Sequence, residues 1–361
     1  MNKKRVIVGM SGGVDSSVTA AILKERGFDV IGITMQLLPF EEQKVSACCN
    51  LGAVDDARRV CASLNIPHYV INSREIFKER VIDPFVATYS EGKTPNPCVE
   101  CNRFIKFDEL MKRADALDAY YIATGHYCKI TKSRNSDERF LKAANDQGKD
   151  QSYFLYMLNQ STLKRLLFPL GKYTKSEIRQ KAERLGLINA TKKDSQEICF
   201  VSKTSYREFV QDRISASDLK SGLIRHTNGD VLGEHSGIHQ FTIGQRKGLN
   251  VSYKHPLYVH RIDAITHDVI VGDSASVPSK FVQLHTVTSV SNEKLPSQWL
   301  DIKLRYLMIP IRGRVVDHQN EHATIELKTP KSFVTPGQSC VFYSGDRILG
   351  GGVIENQHVV I

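Results

Sequence analysis

Residues 6–20 read VIVGMSGGVDSSVTA. An apolar run stops at Gly9 and gives way to Gly12 and Gly13, with Ser11, Ser16 and Ser17 around Asp15. In a parallel sheet, ligands bind beyond the carboxyl ends of the strands, where a loop feeds a helix N-terminus. Gly12 and Gly13 let the backbone turn tightly and approach a ligand closely. Open N–H groups and the helix dipole at such a place favour an anion. The serines add hydroxyl donors, and Asp15 either orients the loop or holds Mg²⁺. A serine-capped strand-to-helix turn would explain a lone SGG, but not the full G-x-S-G-G-x-D-S after a first strand. G-x-x-x-x-G-K-[ST] is absent, so this is not a Walker A loop.

Outward from this loop, strand and helix signals alternate over the first 200 residues. RVIVGM (5–10), DVIGITM (29–35), HYVIN (68–72) and AYYIATGHY (119–127) read as buried strands. Val54, Ala57, Cys61 and Leu64 recur at helical spacing before Pro67. YTKSEIRQKAERLG carries a capping box, Thr174 to Glu177, and ends at Gly186. The alternation predicts an α/β fold, a doubly wound parallel sheet with helices on both faces. After about residue 205 the helical periodicity fades. HPLYVHRIDAITHDVIVG reads as a hairpin, and from about 280 short alternating strands predict a small β-barrel. The expected division is a catalytic domain at 1–204, a small mostly-β central domain at 205–275 and a C-terminal β-barrel at 276–361.

The chain has 361 residues and a formal net charge of +10, which suggests a polyanionic partner. Its apolar runs are too short to span a membrane. Its start has no room for a signal peptide, and a cytoplasmic location is expected. In a reducing compartment, its eight cysteines are core thiols, metal ligands or catalysts rather than a disulfide framework.

The loop resembles the pyrophosphate loop of the N-type ATP pyrophosphatases, which cut ATP between the α- and β-phosphates and adenylate an oxygen on their substrate. Further motifs choose the acceptor. SGGVDSS, PNP-x-x-x-CN (95–102), IATGHY, KDQSYFL, DS-x-x-ICF (194–200), FTIGQRKGL, RY (305–306) and PGQ-x-x-VFY (336–343) occur in that order. Over nearly its whole length the chain resembles the bacterial tRNA-specific 2-thiouridylases, which replace the C2 oxygen of the wobble uridine with sulfur in tRNAs for Lys, Glu and Gln.

The chemistry is consistent with that resemblance. The C2 oxygen of uracil leaves poorly until adenylation turns it into AMP. A persulfide can deliver sulfur, and a second thiolate must then break the S–S bond by exchange. The resemblance implies Cys199 as the persulfide carrier and Cys101 as its partner nucleophile, with a transient disulfide between them. It also implies that Gly9, Met10, Ser11, Gly12, Gly13, Val14, Asp15 and Ser16 line ATP, with Met35 and Gly125 flanking the adenine. Asn96, Pro97 and Cys98 would meet the target base. His126, Lys149, Asp150, Gln151, Arg305, Tyr306 and Gln338 would contact the tRNA anticodon stem-loop, with Lys149-Asp150-Gln151 opening a helix. In the barrel, Arg305 and Tyr306 match a guanidinium-plus-aromatic pair for an unstacked base.

A widespread form of the family loop has Asp where this chain has Cys98, which could take over an acid/base role there only with a tuned pKa. Cys98, Cys101 and Cys199 are expected to converge. Simple persulfide exchange and an iron–sulfur cluster held by the three thiols both stay open; structural zinc lacks an evident fourth ligand. Cys61, Cys128 and Cys340 read as buried small hydrophobes, and Cys48 and Cys49 are undecided. ATP, Mg²⁺ and an external sulfur donor are the expected cofactors and partners. The competing readings are an RNA-binding protein with an ATP switch, which would need no thiol pair, and a synthetase using a glutamine-derived amine, for which no glutaminase domain is evident.

Overall fold

The computed structural model describes residues 1–39, 51–192, 198–201, 205–215, 219–273, 278–291 and 293–355. Its first part is built on β1 (Asn2–Gly9), β2 (Asp29–Gln36), β3 (His68–Asn72) and β4 (Ala119–Ala123). A hairpin of β5 (Cys128–Lys132) and β6 (Arg139–Ala143) follows, and then the short β7 (Leu166–Leu167). A parallel sheet runs in the order β3-β2-β1-β4-β7. Along β1, Ile7 enters one core with Ile33, Leu110 and Ile122, while Val6 and Val8 enter another with Val18, Ala57 and Ile178. A strand buried on both faces reads as a continuous apolar run because alternate side chains serve opposite cores. The helices Val14–Glu25, Leu51–Ser63 and Lys175–Arg184 cover one face, and Asp108–Ala116 covers the other. The capping box at Thr174 and Glu177 is formed as the sequence predicts. AYYIATGHY is not one strand: β4 ends at Ala123, and the chain turns before β5.

The central part is a sheet of β8 (Gly222–His226), β9 (Val231–His235), β10 (Tyr258–Ile262) and β11 (Val269–Gly272), with β10 and β11 forming the expected hairpin. The last part holds β12 (Ser279–Ser289), β13 (Leu300–Lys303), β14 (Ile311–Gln319), β15 (His322–Lys331), β16 (Ser339–Ser344) and β17 (Arg347–Ile354). These run β12-β15-β14-β13-β16-β17 and close through β12–β17 into a barrel around Val282, Ile302, Ile325 and Phe342.

The barrel is not a free appendage. β6 joins its sheet beside β17 at Lys142 and Arg347. Val341, Tyr343 and Ile348 of the barrel share one core with Tyr153, Tyr156 and Ile7 of the first part. Among the described residues no helix is long and apolar enough to cross a membrane.

Candidate active site

β1 and β4 stand side by side where the sheet order reverses, the topological position at which open α/β sheets bind ligands. The loop leaving β1 begins at Gly9 and Met10, and the Met10 N–H donates to the Ile33 carbonyl at 2.7 Å. Gly12 has φ +70, and a Cβ there would stand 2.2 Å from the Ala53 carbonyl oxygen. A Cβ on Gly125 would stand 2.8 Å from the backbone of Asp15 and Ser16. The loop is thus wedged between the helix Leu51–Ser63 and the end of β4, where only glycine fits. Gly13 is the N-cap of the helix starting at Val14, and no side chain among the described residues caps it. The first-turn N–H groups, which have no partner within a helix, are therefore left for an anion. This cradle of glycines and uncapped amides fits a nucleotide phosphate.

The serine hydroxyls bind the loop itself. Ser16 Oγ and Ser17 Oγ each donate to the Gly13 carbonyl at 3.0 Å, and the Ser11 N–H donates to Ser16 Oγ at 3.2 Å. Asp15 accepts from Lys175 Nζ at 2.8 Å on both carboxylate oxygens and from the Tyr127 hydroxyl at 2.8 Å. Of the two expectations for Asp15, orienting the loop is the one whose partners are in place. A magnesium ion on this carboxylate would have to displace the Lys175 ammonium.

Sequence reasoning missed Lys175, Tyr127, Asn189 and Lys192. Asn189 Nδ2 donates to the Gly12 carbonyl at 3.1 Å and to Ser17 Oγ at 2.8 Å. Lys192 Nζ reaches the same carbonyl at 3.2 Å and Asp56 at 2.7 Å. Tyr127 and Lys175 sat inside motifs already quoted, but nothing in the sequence paired either with Asp15.

Pro97–Glu100 forms a short helix that continues into a π-helical stretch, Cys101–Phe107. Cys101 is buried in a cluster with Phe77, Ile105 and Phe200, and Cys199 and Met35 pack against that cluster. Cys98, by contrast, is exposed. Burial raises the Glu100 carboxyl between the two cysteines above its usual range, and Arg103 partly opposes this. Cys101 and Cys199 thus meet at one buried cluster, while Cys98 is exposed. Among the described residues no three His, Cys, Asp or Glu side chains gather to hold a metal ion. Cys98, Cys101 and Cys199 form no such group among the described residues. Burial pushes the Cys61 thiol up to about 12 and raises Cys128 and Cys340 as well, as suits core thiols. Cys48 and Cys49 lie outside the described residues, as do Asp194 and Ser195 of the DS-x-x-ICF motif.

The residues expected to touch RNA are engaged within the protein. His126 is buried between Phe107 and Phe168, with Nδ1 2.7 Å from Thr124 Oγ1. Burial, aided by the Lys106 charge, holds its pKa well below the usual imidazole range. The same burial favours the uncharged ring, whose Nδ1 lies in hydrogen-bond reach of Thr124 Oγ1. Asp150 is buried and accepts from the Ala144 N–H at 2.9 Å and the Ser152 hydroxyl at 2.8 Å. Gln151 accepts from the Tyr127 N–H at 3.0 Å. Lys149-Asp150-Gln151 opens only a 3₁₀ turn, Ser152–Leu155, where the sequence predicts a helix. The threefold repeat of that turn suits the burial of both Tyr153 and Tyr156.

Three barrel residues span domain boundaries. Arg305 donates to the carbonyls of Ile243 at 2.9 Å and Phe333 at 3.2 Å and to the Thr335 hydroxyl. The Tyr306 hydroxyl donates to the Asp150 carbonyl at 2.9 Å. Gln338 Nε2 donates to the Thr94 carbonyl at 3.0 Å and the Pro95 carbonyl at 3.3 Å, just ahead of Asn96-Pro97-Cys98. Arg305→Ala should therefore lower stability by about 1–3 kcal/mol through unpaired buried acceptors, read by urea unfolding. An unchanged midpoint would mean that this fork contributes nothing to holding the parts together.

Three family models match in series. They are described as a tRNA methyl transferase HUP domain at residues 4–203, a tRNA methyl transferase PRC-barrel domain at 207–273 and an aminomethyltransferase beta-barrel domain at 281–354. The tRNA-specific 2-thiouridylase MnmA of Acetivibrio thermocellus is 44% identical over 360 residues, 98% of this chain and 100% of that one. The tRNA-specific 2-thiouridylase MnmA 1 of Thermoanaerobacter sp. is 46% identical over 358 residues, 98% of both chains. This chain belongs to the MnmA tRNA-specific 2-thiouridylase family. A third MnmA, from Clostridium beijerinckii, is 44% identical over 358 residues, 98% of this chain and 99% of that one. The model descriptions mention methyl transfer, whereas these full-length MnmA relatives are named for thiolation.

Proposed function

We propose that the chain is an ATP-dependent tRNA 2-thiouridylase acting on the wobble uridine of tRNAs for Lys, Glu and Gln. The observation that carries this is the packing of Cys199 against the buried cluster that holds Cys101, in a chain of the MnmA family. In this reading residues 1–204 perform the chemistry, while 205–275 and 276–361 engage the anticodon stem-loop. The loop from Gly9 to Ser16 holds the phosphates of ATP, with Met35 and Gly125 beside the adenine. The uridine C2 oxygen attacks the α-phosphorus and pyrophosphate leaves.

A persulfide on Cys199, loaded by an external sulfur donor, then attacks C2 through its terminal sulfur and AMP leaves. The Cys101 thiolate attacks the Cys199 sulfur. The S–S bond to the base breaks, its electron pair stays on the sulfur now bound to C2, and a Cys101–Cys199 disulfide forms. An external thiol reductant must supply two electrons to reopen it. This scheme needs only the two thiols that share a cluster, and it leaves Cys98 beside the base without a transfer role. The chemistry belongs to the reducing cytoplasm.

The test is nucleoside mass spectrometry of tRNA incubated with the protein, ATP, a persulfide donor and a thiol reductant. The expected product is 2-thiouridine, with one pyrophosphate released per modified base and none made without ATP. ATP-dependent binding with no modified nucleoside would favour the switch reading instead.

A further inference from the structure

At the outer edge of the parallel sheet, where β7 ends the strand order, a cleft of about 340 Å³ opens beside the β5–β6 hairpin. Six of its thirteen lining residues are cations: Arg26, Lys129, Lys132, Arg139, Lys164 and Lys172. No carboxylate among the described residues lines it. Lysine and arginine are 49 of the 361 residues overall, so composition alone does not produce such a lining. The larger cleft of about 980 Å³ also carries cations, among them Lys78 and Arg213, but it mixes them with Glu75, Asp83 and Glu91.

The charges around the smaller cleft do not balance. Among the described residues, Asp137 alone pairs with Lys132 at 3.4 Å, Arg139 at 3.3 Å and Lys164 at 2.9 Å. Lys129 is 3.8 Å from Asp346, which Lys142 already holds at 3.1 Å. Arg26 and Lys172 have no ion-pair partner among the described residues. A cleft lined by one sign of charge, with apolar walls, focuses its potential and draws in counter-ions.

The walls indicate which polyanion. They include Tyr121 and Phe168, and Phe168 also packs against His126, with ring centres 6.0 Å apart. The lining thus includes a residue in direct contact with His126, one of the residues expected at the RNA. Arg26, also in the lining, is the C-cap of the helix that starts at the glycine loop. Twelve helical residues put Arg26 about 18 Å from that loop, a span of several phosphates along a strand.

We propose that this cleft binds the sugar–phosphate backbone of the substrate tRNA outside the anticodon arm. The inference rests on the tRNA reading above. The test compares full-length tRNA with the isolated anticodon stem-loop over a range of salt, for the wild type and for Arg26→Glu with Lys172→Glu. Neither residue has an ion pair to lose among the described residues, so an unchanged thermal midpoint is expected and should be verified. Full-length tRNA should bind the double variant about tenfold more weakly at low salt, with a slope of log K against log salt smaller by about two. Stem-loop affinity should stay within twofold. The uncharged Lys172→Ala should shift tRNA affinity in the same direction by less.

Equal losses for both RNAs, or none for full-length tRNA, would overturn the proposal. So would protection of Lys172 from acetylation by inorganic pyrophosphate but not by tRNA, which would make the cleft a small-phosphate site. Failure of the wild type to bind either RNA would instead overturn the tRNA reading itself.

Discussion

Cys199→Ser protein should make no detectable 2-thiouridine while still releasing pyrophosphate from ATP in the presence of tRNA. The loss in sulfur transfer should be about 1,000-fold or more, because removing a nucleophile removes most of what the machinery contributes. A serine hydroxyl cannot carry a persulfide, but it leaves the glycine loop and its braces untouched. Cys101→Ser should fail one step later. Sulfur reaches C2 while still bound to Cys199, and a tRNA–protein adduct that reductant releases should accumulate on non-reducing gels. Cys98→Ser should keep most of the activity, because Cys98 is exposed whereas Cys101 is buried in the cluster against which Cys199 packs. If Cys98→Ser is as inactive as Cys199→Ser and the active protein carries stoichiometric iron, the two-thiol scheme is wrong.

Gly12→Ala should abolish pyrophosphate release. Its Cβ would meet the Ala53 carbonyl oxygen at 2.2 Å, and the backbone sits at φ +70. Either the loop or the helix Leu51–Ser63 must move, which unseats the amides meant for phosphate. The strain should cost about 1–3 kcal/mol of stability. Gly27→Ala is the matched control: φ is +80, but nothing lies within 4 Å of the added Cβ. It should lose about 1 kcal/mol of stability and keep full pyrophosphate release. Urea unfolding and a coupled pyrophosphate assay separate the two effects. Equal activity of the two variants would show that the tight seat of Gly12 does not serve the nucleotide.

Whatever depends on neighbours in the chain was legible in the sequence. The strand ending at Gly9, the glycine turn, the capping box at Thr174 and the alternation of β and α all follow from local sterics and from periodicities of 2 and 3.6 residues. The order of motifs named the family without any coordinates. Roles that depend on distant partners were not legible. An arginine or glutamine suited to a base edge is equally suited to a carbonyl. Only the tertiary structure shows that the donors of Arg305, Tyr306 and Gln338 go to Ile243, Asp150 and Thr94. Asp15 looked like a metal ligand or a loop brace until folding placed Lys175 on both of its oxygens. The cysteines met the same limit. CxxC spacing brings Cys98 and Cys101 near each other in the chain, but folding left Cys98 exposed and put Cys101 in the buried cluster against which Cys199 packs. Local sequence determined the elements and the chemistry available. The long-range packing of those elements decided which donor, acceptor and thiol face one another, because hydrogen bonds and thiol exchange depend on ångström-scale distances that no linear spacing encodes.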